Sequence, residues 1–291
     1  MNIVDAHLHF WQLSRGDYGW LTPALGALYR DFVPADIDAT LDASGVDAVV
    51  VVQAAPTEAE TRFLLALAQR HPRIAGVVGW TDFEAADVAS RIADLRAVRN
   101  GVLKGFRPMV QDIADTRWLM RPELDAAFEA LIAHDLAFDA LVKPEHLPAL
   151  EFRLQRHPSL RTVLDHAGKP AIGPHGFDAW ADTIARLAKQ PQLVCKLSGL
   201  LTEVGENVSP SSVEPFVAHV FACFGPERVM WGSDWPVLTQ RASYTEWLSF
   251  AQALVARHAP GHEQSVFSQN ARRFYRLDID SLLPDSTRNA T

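Results

Sequence analysis

The stretch IVDAHLHFWQ, residues 3–12, decides how this chain of 291 residues is read. Its apolar, β-branched start predicts a short buried strand over Ile3–His9. No GxGxxG follows that strand and no Walker A motif occurs anywhere, so the ligand signatures of open, doubly wound sheets are missing. Further runs of the same kind come at Ala48–Gln53, Ile74–Trp80, Val102–Phe106, Ala137–Val142, Thr162–His166, Leu193–Ser198 and Val229–Asp234. Between them lie segments with helical spacing, such as Leu124, Ala127, Phe128, Leu131 and Ile132, or Val88, Ile92, Leu95 and Val98. Eight strands alternating with helices predict an α/β fold of one kind, a single (β/α)8 TIM barrel.

Helix starts are expected at Pro34, at Thr57 with Glu60 as its capping box, at Pro122 and at Pro144. Long irregular connections follow strand one (10–33), strand four (108–121), strand six (168–176) and strand seven (200–212). In a barrel these are βα-loops, where active sites are built. One barrel domain over residues 1–279 is expected, with a polar, aperiodic tail over 280–291 that frays.

Charge and composition narrow the partners. With 27 Lys+Arg against 35 Asp+Glu the net charge is −8, and no basic stripe interleaves with aromatics, which argues against nucleic acid. Hydrophobic residues at 48% suffice for a large core, yet no apolar run reaches the 18 or so residues that span a bilayer. Cys195 and Cys223 form no CxxC and no disulfide framework, and the first residues do not read as a secretory leader. A soluble cytoplasmic protein with no membrane partner is expected, and the pattern specifies no oligomeric state.

His7 and His9 are two apart, so both imidazoles share one face of strand one, the interior of a barrel. A lone histidine there would read as a satisfied polar residue; His-x-His at a strand end reads as two convergent ligands. The segment LDHAGKP, 164–170, ends strand six with His166, whose plainer reading is a core histidine held by Asp165. The segment MWGSDWP, 230–236, ends strand eight with Asp234 between Trp231 and Trp235, a costly place for a charge without a task. A closed barrel brings the ends of strands one, six and eight to one mouth, so His7, His9, His166 and Asp234 converge there.

With these residues the chain resembles the amidohydrolase superfamily, whose members keep His-x-His on strand one, His on strands five and six, and Asp on strand eight. The resemblance runs through KGFRP after strand four, KLSGL on strand seven and FSQNARRFYRL near the C-terminus. Within the superfamily the chain looks like the amidohydrolase 2 branch and its sugar-acid lactonases of the fuconolactonase and rhamnonolactonase kind. Strand five, LAFDALVKP, carries no histidine, so a full binuclear centre cannot be assembled. At most one divalent cation is expected, zinc before others, on His7, His9, His166 and Asp234. Resemblance to the lactonases also implies that such a metal can be dispensable.

The reaction so implied is hydrolysis of a carboxylic ester bond in a sugar-derived lactone. A lactone carbonyl needs a base for water and a positive centre for the oxyanion. Asp234 is the candidate base, with His166 and the paired histidines orienting water or polarising the carbonyl. Arg107 in KGFRP is the preferred substrate contact, and Lys104, three positions earlier and so on the opposite face of an ideal strand, competes with it. Trp11 and Trp235 adjoin the motifs and are the first aromatic candidates for substrate contact; Trp20 and Trp80 follow. Gln53, Lys196 and Ser198 are lesser polar candidates. Two other readings compete: a metal-dependent decarboxylase of the same superfamily, and a barrel that only binds a small molecule. The first leans on the missing strand-five histidine, and the second is disfavoured by the full set of three histidines and Asp234.

Overall fold

A computed structural model describes residues 2–98, 101–173, 175–205 and 208–279; the tail expected over 280–291 lies outside the described residues. Eight strands, β1 (Ile3–Leu8), β2 (Val46–Val52), β3 (Ile74–Gly79), β4 (Leu103–Phe106), β5 (Ala137–Ala140), β6 (Thr162–Leu164), β7 (Leu193–Leu197) and β8 (Val229–Trp231), pair in parallel and in chain order. The circle closes where the end of β1 meets the segment after β8. There the Asp234 N–H donates to the His7 carbonyl at 2.7 Å and the His9 N–H to the Trp235 carbonyl at 2.7 Å. This is the expected (β/α)8 TIM barrel.

Strand alternation produces two apolar layers. Val4, Ala6, Val50, Val52, Val78 and Met230 pack as one cluster inside the barrel, together with Phe274, Tyr275 and Leu277 at the chain's far end. Their neighbours Val49, Val51 and Val77 face the helices. The outer ring comprises α1 (Asp38–Ala43), α2 (Glu58–Arg70), α3 (Val88–Val98), α4 (Asp125–Ala133), α5 (Leu147–Arg156), α6 (Phe177–Leu187), α7 (Glu214–Phe224) and α8 (Tyr244–His258), followed by the short α9 (Asn270–Tyr275). Among the described residues no helix is long and apolar enough to cross a membrane.

Several local expectations shift. Pro34, Pro122 and Pro144 each open a single tighter turn, and the α-helix begins a few residues later. Thr57 does cap α2, its hydroxyl accepting from the Glu60 N–H at 3.1 Å, but the Glu60 carboxylate does not return to it. It accepts instead from the N–H groups of Ala54 and Ala55, at 3.0 and 2.6 Å, and so holds the turn after β2. Val98, expected on one stripe with Val88, Ile92 and Leu95, is 49% exposed at the end of α3, while the other three are buried. Strands six and eight stop short of His166 and Asp234, because the backbone leaves the extended region: His166, Ala167, Gly168 and Lys169 all have positive φ, as has Asp234 at 59°. A run of left-handed residues is costly outside glycine and persists where the surroundings enforce it.

Candidate active site

Those two turns and the end of β1 aim side chains at one point. His7 Nε2 lies 3.2 Å from His9 Nε2, which in turn lies 3.2 Å from Asp234 Oδ1, and His7 Nε2 is 3.7 Å from the same oxygen. The His7 and His166 rings are 4.6 Å apart, and Ser198 Oγ meets His166 Nδ1 at 2.9 Å. Two glycines make these approaches possible. A Cβ on Gly232 would sit 2.7 Å from His7 Cβ, and one on Gly199, whose φ is +62°, only 2.4 Å from His166 Nδ1. Asp234 and all three histidines are at most 4% exposed.

A buried ionic network underlies this cluster. The Lys196 ammonium stands 2.6 Å from Asp139 Oδ2, 3.0 Å from Asp165 Oδ1 and 3.2 Å from His7 Nδ1, and the Tyr275 hydroxyl donates to Asp139 at 2.6 Å. Burial pushes both carboxyls up; at Asp165 the Lys196 charge and His7 outweigh it and hold the group well below the usual range, while Asp139 stays raised. Burial lowers His7 well below an ordinary histidine, with Lys196 adding to the effect, and lowers His166 to about 4. Both are therefore neutral near pH 7. Burial also raises the Asp234 carboxyl, but the surrounding histidines win, and it stays ionised well below the usual range.

Above the cluster lies a cavity of about 190 Å³ whose floor includes His9, His166, Asp234 and Arg107. That is smaller than the about 300–1,000 Å³ of drug-sized pockets and suits a single small ring. The Arg107 guanidinium is anchored on the Gln53 carbonyl and comes within 3.4 Å of His7 Nε2. Lys104, its competitor, is not here: it leaves β4 toward the opposite end of the barrel, where its ammonium donates to the Arg276 carbonyl at 2.9 Å. The two cations are thus separated along the barrel, one toward each end. Trp11 and Trp235 do not line the cavity either. Trp11 is fully buried, its indole N–H on the Arg30 carbonyl, and with Phe32 it backs Trp20, while Trp235 packs on Phe10 and Phe32. Trp20 forms the wall, pinned by a 2.7 Å bond from its indole N–H to the Ala54 carbonyl.

Other wall residues were not singled out from sequence: Met109, Gln111 and Asp112 from the loop after β4, Leu141, Lys169 and Val237. The length of the 108–121 connection is the one sequence signal that pointed toward the first three. Asp165, the expected partner of its neighbour His166, faces Lys196 and His7 instead.

The donor set fits one cation. A metal bound at about 2.0–2.1 Å in tetrahedral geometry needs ligand atoms about 3.3 Å apart, close to the 3.2, 3.2 and 3.7 Å among His7 Nε2, His9 Nε2 and Asp234 Oδ1. His9 Nδ1 is committed to the Val52 carbonyl at 2.8 Å, which turns Nε2 toward Asp234 as an acceptor facing an acceptor, a pair that calls for a proton or a cation between them. His166 is not gathered with that trio; it groups with His7 and Asp165.

Comparison with known proteins agrees with this architecture. The chain is 45% identical to an L-fucono-1,5-lactonase of Burkholderia ambifaria over 96% of its own length and 97% of the relative's. It is 37% identical to an L-fucono-1,5-lactonase of Burkholderia multivorans over 94% and 96%. A crystal structure of an amidohydrolase from Burkholderia multivorans with bound zinc superposes with a TM-score of 0.89 at 36% identity, covering 95% of this chain and all of the other. The pattern of the amidohydrolase family, in its amidohydrolase 2 form, matches residues 4–277, and the chain belongs to that family.

Proposed function

We propose that the protein hydrolyses a sugar-derived lactone to the open sugar acid, with Asp234 as general base on water. The observation that carries this reading is the position of Asp234: a carboxylate lining a small cavity, 3.2 Å from His9 Nε2, with His166 and Arg107 lining the same cavity. The relatives named as fuconolactonases support the substrate class.

In this account water lies against Asp234 Oδ and is oriented by His166, whose Nδ1 is engaged by Ser198 so that Nε2 is left for the cavity. Asp234 takes a proton as the water oxygen bonds to the lactone carbonyl carbon. Negative charge then collects on the former carbonyl oxygen, where the fixed Arg107 guanidinium stabilises it. The ring C–O bond breaks, the proton on Asp234 passes to the leaving alkoxide, and a hydroxy acid results. His7, His9 and Asp234 would hold a zinc ion, which when bound supplies Lewis-acid polarisation of a carbonyl or water. Neither Lys104, at the wrong end of the barrel, nor Trp11 and Trp235, behind the wall, has a direct part; Arg107 and Trp20 take the substrate-contact roles.

A pH-indicator assay over a panel of aldonolactones that includes L-fucono-1,5-lactone tests the reading. Turnover of at least one member above the rate without enzyme is expected, and no acceleration of any would overturn it.

A further inference from the structure

Two buried polar atoms of cavity-lining residues have no hydrogen-bond partner among the described residues, Arg107 Nε and Gln111 Oε1. One belongs to a donor and the other to an acceptor. Buried polar groups are normally paired, and both atoms are closed off from solvent, so each gains a partner when its side-chain head turns toward a ligand that enters the cavity. The proposed reaction already employs Arg107. Nothing in it employs Gln111.

Gln111 is held on a fixed backbone. It lies in the short turn Val110–Asp112, and its own N–H donates to the Leu141 carbonyl at 3.0 Å, so the loop after β4 is tied to the end of β5. A primary amide presents an acceptor and donors from one head, which matches a hydroxyl, itself both donor and acceptor. Lys169 shares the cavity but is committed to Glu203 at 2.7 Å.

Building on the lactonase reading, we propose that Gln111 is the specificity-determining contact of this site, bonding a ring hydroxyl of the lactone and thereby favouring hydroxylated lactones over plain ones. A site built to bond a substrate hydroxyl discriminates against the analogue that lacks it, because its buried polar group is then left unpaired.

The test compares kcat/KM on a hydroxylated aldono-1,5-lactone and on unsubstituted δ-valerolactone for the wild type, Gln111→Met and Gln111→Glu, with thermal unfolding as a check on folding. The Met side chain keeps the shape and removes the polar head. Its loss on the hydroxylated lactone should exceed its loss on δ-valerolactone by about tenfold or more, and the Glu variant, which keeps an acceptor, should recover part of that difference. Equal losses on both lactones, or less than about a threefold loss on the hydroxylated one, would overturn the role of Gln111 and leave the lactonase reading standing. A wild type that opens no member of the aldonolactone panel would overturn the lactonase reading, and Gln111's role with it.

Discussion

The Asp234 N–H donates to the His7 carbonyl across 2.7 Å, so the seam that closes the barrel is also the floor of its site. Gly232 lets that seam form, since a Cβ there would meet His7 Cβ at 2.7 Å and His7 N at 3.0 Å. Backbone would have to move. Gly232→Ala should therefore destabilise by about 1–3 kcal/mol, as overpacking does. It should also lower kcat more than tenfold, because a shift on the order of 1 Å misplaces the reacting groups. Thermal unfolding and steady-state kinetics check both; an Ala variant with wild-type turnover would show that the seam does not set the site.

The second expectation concerns Lys196, fully buried between Asp139 and Asp165. Lys196→Met leaves two carboxylates without their cation. Breaking a buried pair in this way costs about 3–5 kcal/mol. Tyr275→Phe removes one donor to Asp139 and should cost less, about 1.5–3 kcal/mol. Denaturant unfolding orders the two, and a Met variant as stable as the wild type would refute the network's structural role.

Glu60 should make stability depend on pH. Burial raises its carboxyl from 4.5 to about 7, against the N–H bonds from Ala55 and Ala54 that lower it. Between those values the folded chain holds a proton that the unfolded chain has lost, so Glu60's contribution is complete below pH 4.5 and is lost as pH rises through about 7. Relative to Glu60→Gln, the wild type should lose stability across that window in a pH series of unfolding curves. A relative gain with rising pH would contradict the assignment.

Removal of metal gives a fourth test. Strand five offers Asp139, already bound to Lys196, where a second metal site would need a histidine. Arg107 supplies a fixed positive charge beside His7. Protein stripped by chelator and verified metal-free by elemental analysis should keep most of its lactonase turnover. Loss on stripping, restored by zinc alone, would move the positive role from Arg107 to the cation and make Asp234 a ligand as well as a base.

The architecture was legible because the strands are compact apolar runs, most of them β-branched, and the helices between them carry stripes of period 3.6, both local properties. His7 and His9 were legible for the same reason, since two residues at a strand end share a face. The strand ends at His166 and Asp234 were overestimated: nothing in the local pattern announces that His166, Ala167 and Lys169 accept left-handed backbone. Trp11 and Trp235 adjoin the motifs in sequence, yet both come after the ends of β1 and β8, in irregular backbone where strand alternation no longer says which way a ring turns, and both rings lie behind the wall. The Lys196 network joins residues 57 positions apart or more in its longest-range bonds, to Asp139, Tyr275 and His7, and such pairing depends on closure of the barrel rather than on any window of sequence. Gln111 sits in an irregular loop, where no periodicity says which side chain turns inward.

The most direct test of the account is kcat and KM for Asp234→Asn. Asp234 has φ 59°, a conformation that Asn also tolerates, so the variant keeps backbone and shape while losing the base. The account predicts a fold that melts as the wild type does, a kcat lowered on the order of 10²-fold or more, and little change in KM. A variant within about threefold of wild-type kcat would contradict it and would transfer the role of base to His166.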